Sequence, residues 1–408
     1  MPTHSGPNIL GEENLVFAYD TGDVKNSYIG EPATNSQNAD ISSMTQVGFD
    51  SWSCYDGSPP YHTWGTNKSK TFVTIPGPFG TSVNAMLYHN FNGGFYGPTD
   101  WGAVPNGTIT SGRTYTVQGW VKAADSESVG KSVNVHTYYN HSGGAYSAGT
   151  NYTLTDQWQL VSHTHTAQYN ASGDGVMYFF TQNSGEVKMH LTMTGVFLDK
   201  SHAVPWIIGG STRSNTQGLL DLTNNSTINL STVSFDGSAQ MTFDGTDDTV
   251  SVPSYSAIEL VDNVSIEYVY MRLSTDPILD IIANKYHNTG WELFCQTGNT
   301  FALAGRNGDD TYYSTANPAY TIQNNKYYHL VAIKEALSWR LYVNGELYAY
   351  LTANSIGTWS NTGILQIGVE GAGYYPSMSL PLLKIYNRVL SASEVLTSTG
   401  TNQYLKYT

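Results

Sequence analysis

The chain has 408 residues, of which 12% are charged, and it contains 40 glycines, 15 prolines and 30 tyrosines. This composition is typical of an all-β protein with many turns and argues against a helical enzyme, while the length predicts two or three domains. The net charge of −14 argues against a nucleic-acid groove or an anionic-membrane surface, so neither partner is expected.

Targeting signals and cysteines set further limits on the interpretation. The sequence has no run of about 18 apolar residues, which argues against a membrane span. Residues 1–9 lack the basic and then apolar pattern of a secretory signal peptide, so no secretion is expected. Cys54 and Cys295 lie far apart in the sequence and are predicted to be free thiols in different domains.

The first half of the chain contains several predicted strands. Thr114–Ala123 (TYTVQGWVKA) is a predicted strand, and residues 155–167 indicate a turn followed by a strand. Residues 175–181 and 191–198 are two more predicted strands. This grouping of strands and turns predicts a β-sandwich in the first half.

The second half shows clearer alternation with a period of two. Residues 264–271 predict a strand in which one face carries Val264, Ile266, Tyr268 and Tyr270. Residues 364–368 predict another strand farther along the chain.

Two short motifs in the second half predict a turn and a helix start. The pair Asn344-Gly345 separates two alternating segments, and Asn-Gly favours the type I′ turn of a hairpin. Farther on, Ser391 and Glu394 have the spacing of a capping box and predict the beginning of one short helix.

The order of these motifs resembles the laminin-G-like, concanavalin A-like lectin and glucanase sandwich. Residues 328–332 (YHLVA), 341–345 (LYVNG) and 385–391 (IYNRVLS) are similar to the ordered motifs of that family. Residues 243–253 (FDGTDDTVSVP) look like its early strand pair. The resemblance implies a concanavalin A-like domain over residues 206–408, of a kind that mostly binds glycans or proteins.

Motifs of the first half resemble a different sandwich. Thr114–Ala123 and residues 156–167 (DQWQLVSHTHTA) look like the jelly-roll carbohydrate-binding modules with a galactose-binding-like fold. The resemblance implies a jelly-roll domain over residues 31–205. The predicted fold class is therefore all-β, with two antiparallel β-sandwiches.

The opening motif of the lectin-like sandwich is split in this sequence. Residues 14–20 (NLVFAYD) resemble the first strand of the family, but the motif that normally follows at once is found near residues 218–225. We therefore predict that residues 1–30 supply the first strand of the C-terminal sandwich and that the jelly roll is inserted after it. Insertion at a surface turn is tolerated when the two ends lie close together.

The same N-terminal opening also resembles virion structural proteins of tailed bacteriophages. Residues 6–9 (GPNI) followed by LVFAYD carry this resemblance. It implies a viral structural protein of the virion, either a capsid decoration of the head or a fibre-like protein, assembled in the host cytoplasm. The implied partners are further copies of the chain in a homo-oligomer, other virion proteins and host surface polysaccharide.

Catalytic signatures are missing from the sequence. Glucanases of this sandwich class need two carboxylates at alternate positions of one strand, where both reach the same glycosidic bond. Glu267 and Glu292 are each isolated, and no nucleophile elbow, phosphate-binding loop or zinc-protease motif occurs. The chain is predicted not to be an enzyme, and a glucanase-class glycosidase is the less favoured alternative.

Acidic residues at two places raise the question of a structural Ca²⁺. Asp244, Asp247 and Asp248 offer carboxylates that suit Ca²⁺, although Asp and Gly in this segment also suit a tight turn, which is the simpler interpretation. Asp199 matches a position near which related jelly-roll modules sometimes hold Ca²⁺. The expected cofactor is therefore none or a structural Ca²⁺.

Three histidines fall on or beside strands of the first half. His163 and His165 are two residues apart and share a strand face, a spacing that can hold a metal. The spacing indicates neither His136 nor any other residue as a third metal ligand. Surface or half-buried strand positions are the simpler interpretation of all three.

Aromatic residues are concentrated in two loop-rich segments beside glycine and asparagine. Aromatic rings stack on the C–H faces of sugars, and Asn and Asp bind the hydroxyls. Protein interfaces and cores are rich in the same rings, so a glycan face, a partner interface and a core remain three open interpretations. The candidate glycan- or partner-binding residues are Trp52, Tyr55, Tyr61, Trp64, Phe95, Tyr96 and Trp101.

The function predicted from the sequence is that of a non-enzymatic bacteriophage virion structural protein that also binds host surface glycans. The alternative is a carbohydrate-binding adhesin or receptor-binding protein. The two hypotheses are compatible, because a protein on the surface of a particle can fill both roles.

Overall fold

The computed structural model describes residues 12–37, 41–42, 53–55, 68–91, 93–101, 108–172, 176–260, 262–274, 279–287, 289–296, 300–306, 311–315, 321–352, 362–369 and 373–400. The sheets in these ranges are built from antiparallel strand pairs, which confirms the predicted all-β fold class. Within the same ranges no helix is both long enough and apolar enough to span a membrane.

The strands are numbered in chain order. The first fifteen are β1 (Leu15–Asp20), β2 (Ala33–Thr34), β3 (Ser53–Tyr55), β4 (Lys68–Pro76), β5 (Ser82–Asn90), β6 (Gly93–Trp101), β7 (Thr108–Ile109), β8 (Thr114–Ala123), β9 (Ser132–His141), β10 (Gly144–Thr153), β11 (Gln159–Thr166), β12 (Ala171–Ser172), β13 (Val176–Ser184), β14 (Val187–Leu198) and β15 (Thr212–Arg213). The next fourteen are β16 (Asn229–Ser231), β17 (Ser234–Phe235), β18 (Met241–Asp244), β19 (Thr249–Val252), β20 (Val264–Arg272), β21 (Leu279–His287), β22 (Thr289–Gln296), β23 (Thr300–Arg306), β24 (Tyr312–Ser314), β25 (Tyr327–Glu335), β26 (Ser338–Val343), β27 (Glu346–Thr352), β28 (Leu365–Ile367) and β29 (Ser377–Tyr386). One α-helix, α1 (Ala392–Gly400), and two 3₁₀ turns, Ser126–Ser128 and Ser256–Ile258, complete the described elements.

The chain forms two compact units. The middle unit is Ala33–Arg213, and the terminal unit combines Met1–Pro32 with Ser214–Thr408. The middle unit begins two residues later and ends eight residues later than the 31–205 range that the motifs indicate. The later end is explained by strand pairing, because β15 pairs with β2 in a small two-stranded sheet of the middle unit.

Two five-stranded sheets enclose the core of the middle unit. One sheet has the order β10-β9-β13-β6-β3 and the other has the order β11-β8-β14-β5-β4. Val135 and Phe179 of the first sheet share a core cluster with Val121 and Leu191 of the second. Gly119 permits this close packing, because a Cβ atom there would lie 2.8 Å from the Phe179 ring.

The predicted strands of the middle unit are present, and two of them are longer than predicted: β13 ends at Ser184 and not at residue 181, and β14 begins before residue 191. The strand expected at Thr114–Ala123 has those bounds as β8. The strand expected at residues 191–198 begins at Val187 instead. Val187 and Met189 are fully buried and continue the same alternation, so the pairing with β5 extends the strand toward its start.

The terminal unit is a larger sandwich of an eight-stranded and a seven-stranded sheet. The eight-stranded sheet runs β17-β18-β29-β20-β25-β26-β27, with β1 paired to β29, and the seven-stranded sheet runs β16-β19-β28-β21-β22-β23-β24. The face of β20 predicted from alternation is confirmed, because its four residues belong to the main core cluster: Val264, Ile266, Tyr268 and Tyr270.

Strand β1 belongs to the terminal unit although 181 residues of the middle unit follow it in the sequence before Ser214. Phe17 pairs with Ile385 and Tyr19 pairs with Leu383 of β29. Both aromatic rings are fully buried in the main core of that unit. The first half of the split opening motif therefore belongs to the eight-stranded sheet. Its second half lies against β1, because the Leu222 N–H donates to the Ala18 carbonyl at 2.8 Å.

The segment at residues 243–253 supplies strands to both sheets. Strand β18 pairs with β29 in the eight-stranded sheet, whereas β19 pairs with β16 and β28 in the seven-stranded sheet. The motif similar to an early strand pair therefore does not form a hairpin. The turn between Asp244 and Thr249 carries the chain from one sheet to the other.

Two local signals have the predicted geometry. Asn344 and Gly345 have φ angles of 51° and 85°, which is the left-handed conformation that a type I′ turn requires between β26 and β27. Glu394 accepts a hydrogen bond from the Ser391 backbone N–H at 2.7 Å, and its own N–H donates to the Ser391 hydroxyl at 3.3 Å. This reciprocal pair is the capping box that begins α1.

Candidate functional site

The outer face of the sheet β10-β9-β13-β6-β3 carries a row of uncharged polar side chains. Alternation along β9 buries Val133, Val135 and Tyr139 in the core and leaves Asn134 and His136 on the outer face. The outward residues of β9 and of its neighbour β10 are hydrogen bonded to one another across the strands. The row is therefore a fixed surface and not a set of independent side chains.

The hydrogen bonds of this row define the protonation of its histidine. Asn134 Nδ2 donates to Asn151 Oδ1 at 2.8 Å, so Asn134 Oδ1 is left to accept from His136 Nδ1 at 3.1 Å. His136 Nε2 then accepts from the Ser147 hydroxyl at 2.6 Å. Burial, together with the nearby imidazoles of His163 and His165, lowers the pKa of His136 to about 4. The imidazole is therefore neutral at pH 7.

The strand register places three predicted aromatic positions on this same face. Trp101 pairs with Val176, which pairs in turn with Tyr138 of β9. Directly paired residues of an antiparallel sheet share a face, so positions 101 and 138 are on the same side. Strand alternation adds positions 55 and 95 to that side through the pairing of β3 with β6.

The structure describes the strand position of only one of the other four predicted aromatic residues, Tyr96. Position 96 is in register with Thr181, on the side of β13 that carries buried Phe179. Trp52, Tyr61 and Trp64 lie outside the described residues. The structure therefore brings positions 55, 95 and 101 together on one face and places position 96 on the opposite one.

Sequence reasoning missed the polar part of this face. The residues predicted for a site do not include Asn134, Tyr138, Ser147 or Asn151, and His136 is predicted only to lie on or beside a strand. The signal was present in β9, where Asn, His and Tyr alternate with residues that are now buried. The hairpin that places β10 beside β9 and completes the hydrogen bonds is a further feature that the sequence analysis did not predict.

Asp199, a candidate Ca²⁺ ligand, is engaged by an arginine. Its Oδ1 accepts a hydrogen bond from Arg113 Nε at 3.0 Å, and its Oδ2 accepts one from Arg113 Nη2 at 2.7 Å. The hydrogen bond to Asp199 raises the pKa of Arg113. The guanidinium is therefore a competitor for any cation at this carboxylate.

Asp244, Asp247 and Asp248 lie close together, as their spacing suggests. Their carboxylate oxygens are within 4.8 Å of one another, and in the described part of the chain they form a group that could hold a cation. Asp248 Oδ2 also accepts the Asp244 N–H at 2.7 Å, which is a tight-turn contact. Burial, with a smaller contribution from the neighbouring carboxylates, raises the pKa of Asp248. The geometry suits both the turn and the Ca²⁺ interpretation.

The two isolated glutamates are far from forming a catalytic pair on one strand. Glu267 is on β20 in the eight-stranded sheet, whereas Glu292 is on β22 in the seven-stranded sheet. Glu267 is 1% exposed and accepts a hydrogen bond from His329 Nε2 at 2.9 Å. Glu292 accepts one from the Tyr312 hydroxyl at 3.2 Å. A pair that attacks one glycosidic bond needs both carboxylates beside it.

Two regions of the chain match known families. Residues 244–396 match the model of the concanavalin A-like lectin/glucanases superfamily, and residues 100–185 match the model of a carbohydrate binding domain. These matches confirm the lectin-like and carbohydrate-binding resemblances seen in the motifs. The outer face described above lies mostly within the second match. No curated protein matches the chain.

Distant likenesses to solved structures cover about half of the chain. The botulinum neurotoxin serotype D binding domain is 16% identical over 46% of this chain and 49% of that one, with a TM-score of 0.38. The binding domain of Paraclostridial Mosquitocidal Protein 1 is 17% identical over 44% and 49%, with a TM-score of 0.40. The serotype D ligand binding domain in complex with N-acetylneuraminic acid is 14% identical over 46% and 49%, with a TM-score of 0.39. The chain spans about half the length of each.

Proposed function

We propose that this chain is a non-enzymatic carbohydrate-binding protein of a bacteriophage virion, and that the outer face of β10-β9-β13-β6-β3 binds host surface polysaccharide. The observation that carries the proposal is the hydrogen-bonded row of Asn134, His136, Ser147 and Asn151, which shares a sheet face with the aromatic positions 95 and 101 across β13. Amides and hydroxyls recognise sugar hydroxyls, and aromatic rings stack on sugar C–H faces. The face also lies mostly in the region that matches a carbohydrate binding domain.

The sugar expected from this chemistry is neutral. The named groups of the face are amides, hydroxyls and a neutral imidazole, so no fixed charge is offered to a carboxylate or a phosphate. We expect glycan arrays to show binding to neutral hexose polymers in preference to sialylated or phosphorylated ones. Preferential binding of anionic glycans would contradict this assignment.

Variants of the face test the site itself. We expect Trp101→Ala to weaken binding about 30-fold, as loss of a stacking anchor worth about 2 kcal/mol would. His136→Ala should weaken it about tenfold through loss of its two hydrogen bonds. Phe79→Ala is a matched control, because Phe79 is an exposed aromatic residue of the same unit that contacts Trp120 of the other sheet. Equal losses in all three variants would contradict a site on this face.

The non-enzymatic part of the proposal rests on the placement of the carboxylates in different sheets. Incubation with the bound polysaccharide should release no reducing ends. Turnover that disappears in Glu292→Gln would replace the proposal with a glycosidase.

The virion location is supported by the likeness of the N-terminal opening to tailed-phage structural proteins. Mass spectrometry of purified virions should detect the chain among the structural proteins. If it is found there as an oligomer that binds no sugar by array, the purely structural role of a head decoration or fibre-like protein replaces the glycan-binding one. Analytical ultracentrifugation of the wild type and Trp101→Ala would then show whether the same face joins copies of the chain.

A further inference from the structure

Two histidines lie directly behind the candidate face, inside the sandwich of the middle unit. His163 and His165 are on the inner side of β11, with ring centroids 5.7 Å apart and an interplanar angle of 12°. His165 is 9% exposed. Within the described part of the chain, the Nε2 atom of each ring is buried and has no hydrogen-bond partner. An unpartnered buried nitrogen is uncommon and invites a functional explanation.

The other nitrogen of each ring connects β11 to the strands that carry the candidate face. His163 Nδ1 shares a hydrogen bond with the Thr150 hydroxyl of β10 at 3.0 Å. His165 Nδ1 shares one with the Thr137 hydroxyl of β9 at 3.1 Å. The Tyr152 hydroxyl adds a bond from β10 to the Ser162 carbonyl at 2.8 Å. These contacts hold the two sheets together at this edge.

The groups that face the two imidazoles carry no negative charge at neutral or acidic pH. The ring of His165 is stacked among three tyrosines at 5.3 to 6.0 Å, and His163 is paired with Val117. The titratable groups that face the pair from β8, β9 and β10 are Tyr115, Tyr139, Tyr146, Tyr152 and, from the outer side of β9, His136. A proton on either imidazole would therefore be desolvated and uncompensated.

The pKa shifts have the direction that this environment requires. Burial, with a contribution from His163, lowers the pKa of His165 to about 4, and burial lowers the pKa of His163. A histidine whose pKa is lower in the folded than in the unfolded protein stabilises the fold fully above its unfolded pKa. That stability is lost as the pH falls from 6.5 toward 4.

We propose that His163 and His165 make the glycan-binding face acid-sensitive, so that their protonation detaches β10 and β9 from β11 and abolishes ligand binding. Strand β10 is the element that yields first, because in the described sheet it pairs with β9 alone. Its opening removes Ser147 and Asn151 from the polar row. The ligand-binding consequence rests on the function proposed above, whereas the opening itself does not.

Amide hydrogen exchange of the full chain between pH 7.5 and 4.5, corrected for the intrinsic exchange rate, measures the opening directly. One histidine whose pKa changes from 6.5 to about 4 favours the open state about 30-fold at pH 5. We expect protection of Gly144–Thr153 to fall by at least that factor, while protection of Val264–Arg272 in the terminal unit changes much less. Unchanged protection of Gly144–Thr153 at pH 4.5 would overturn the proposal.

Variants identify the responsible groups. Asparagine keeps a polar group near the position of Nδ1 and does not titrate, so His165→Asn should shift the loss of protection to lower pH by about one unit. His141→Asn is the matched control, because His141 lies at the end of β9 and stacks on exposed Tyr169. An unaltered pH profile in His165→Asn would overturn the proposal. If that variant is unfolded at pH 7.5, titration of the wild-type imidazole signals replaces it. Titration of His163 and His165 near pH 6.5 without opening of β10 would overturn the proposal.

Glycan arrays at pH 7.5 and pH 5 separate this inference from the proposed function. The expected result is binding at pH 7.5 that is lost at pH 5 in the wild type but retained at pH 5 in His165→Asn. This result supports both the proposed function and the acid-sensitive face. If no glycan is bound at either pH, the proposed function fails, and the exchange experiment still decides whether β10 opens in acid. Equal binding at both pH values would overturn the acid-sensitive face.

Discussion

Glu267 shows how a single residue can contradict the simple rule that charged side chains lie in water. Burial by itself would raise the pKa of this carboxyl, but the Lys384 ammonium and the hydrogen bonds from His329 and Tyr386 outweigh it and lower the pKa to about 2. His329 Nδ1 shares a further hydrogen bond with Thr399 of α1 at 2.7 Å. The buried charge thus connects three strands and the helix.

Replacement of this carboxylate should destabilise the terminal unit. We expect Glu267→Gln to lower its free energy of unfolding by about 3 kcal/mol, because the buried partners lose their counter-charge. Hydrogen exchange of Ser377–Tyr386 at increasing urea concentration would measure this value. Glu346→Gln is the control, since Glu346 is exposed on β27 and should change stability by less than about 0.5 kcal/mol.

The pH dependence of this difference tests the ionic explanation. A carboxyl with a lowered pKa contributes stability that is complete above its unfolded value of 4.5 and is lost as the pH falls toward about 2. The wild type and Glu267→Gln should therefore approach each other in stability over that interval. A difference that stays constant down to pH 2 would point to packing and not to charge.

At the scale of elements, the outer side of the eight-stranded sheet is covered by α1. Val395 of the helix shares a small core cluster with Val331 and Ile333 of β25 and with Tyr386 of β29. Strand β25 is therefore buried on both faces, because its alternate residues, such as Leu330, belong to the main core. This explains why the alternation of polar and apolar residues is weak in that strand.

The first strand supplies an element-scale prediction. Phe17→Ala should destabilise the terminal unit by about 3–5 kcal/mol, because the ring is fully buried between β1 and its core neighbours. Hydrogen exchange should accelerate in Ser377–Tyr386, which pairs with β1, and remain unchanged in Thr114–Ala123 of the middle unit. Val24→Ala, at an exposed position of the same segment, should leave both strands unaffected. Faster exchange confined to the middle unit would contradict the assignment of β1.

At the scale of the whole molecule, the chain leaves and re-enters the terminal unit at neighbouring points. The Ile29 and Gly30 N–H groups both donate to the Gly218 carbonyl, at 2.9 and 3.2 Å. In the middle unit, Thr34 is in turn paired with Thr212. Each unit therefore has its two chain ends close together, which is the arrangement that lets one domain be inserted into another.

Removal of the middle unit tests this arrangement. A protein in which Pro32 is joined to Ser214 by a short glycine linker should fold, with protection of Val264–Arg272 within about tenfold of that in the full chain. The matched variant lacks residues 1–32 instead and should lose that protection, because it loses β1. Loss of protection in both variants would show that the terminal unit depends on the middle one.

The sequence by itself determined the local elements of this protein. Alternation fixed the face of β20, the pair Asn344-Gly345 fixed a hairpin turn, and the capping box fixed the beginning of α1. Each of these features depends on neighbours within about ten residues, so backbone geometry and side-chain period suffice to predict it.

The tertiary structure decided which strands became neighbours, and with them the candidate site. The polar row is local to the β9–β10 hairpin, but the aromatic positions join it only through the register of β13 with β9 and with β6. Likewise Glu267 meets a hydrogen-bond donor from a distant part of the chain, because Tyr386 of β29, 119 residues away, donates to its carboxylate at 3.1 Å. Such pairings depend on long-range packing, which a local pattern does not encode, because the same alternating strand can pair equally well with many others.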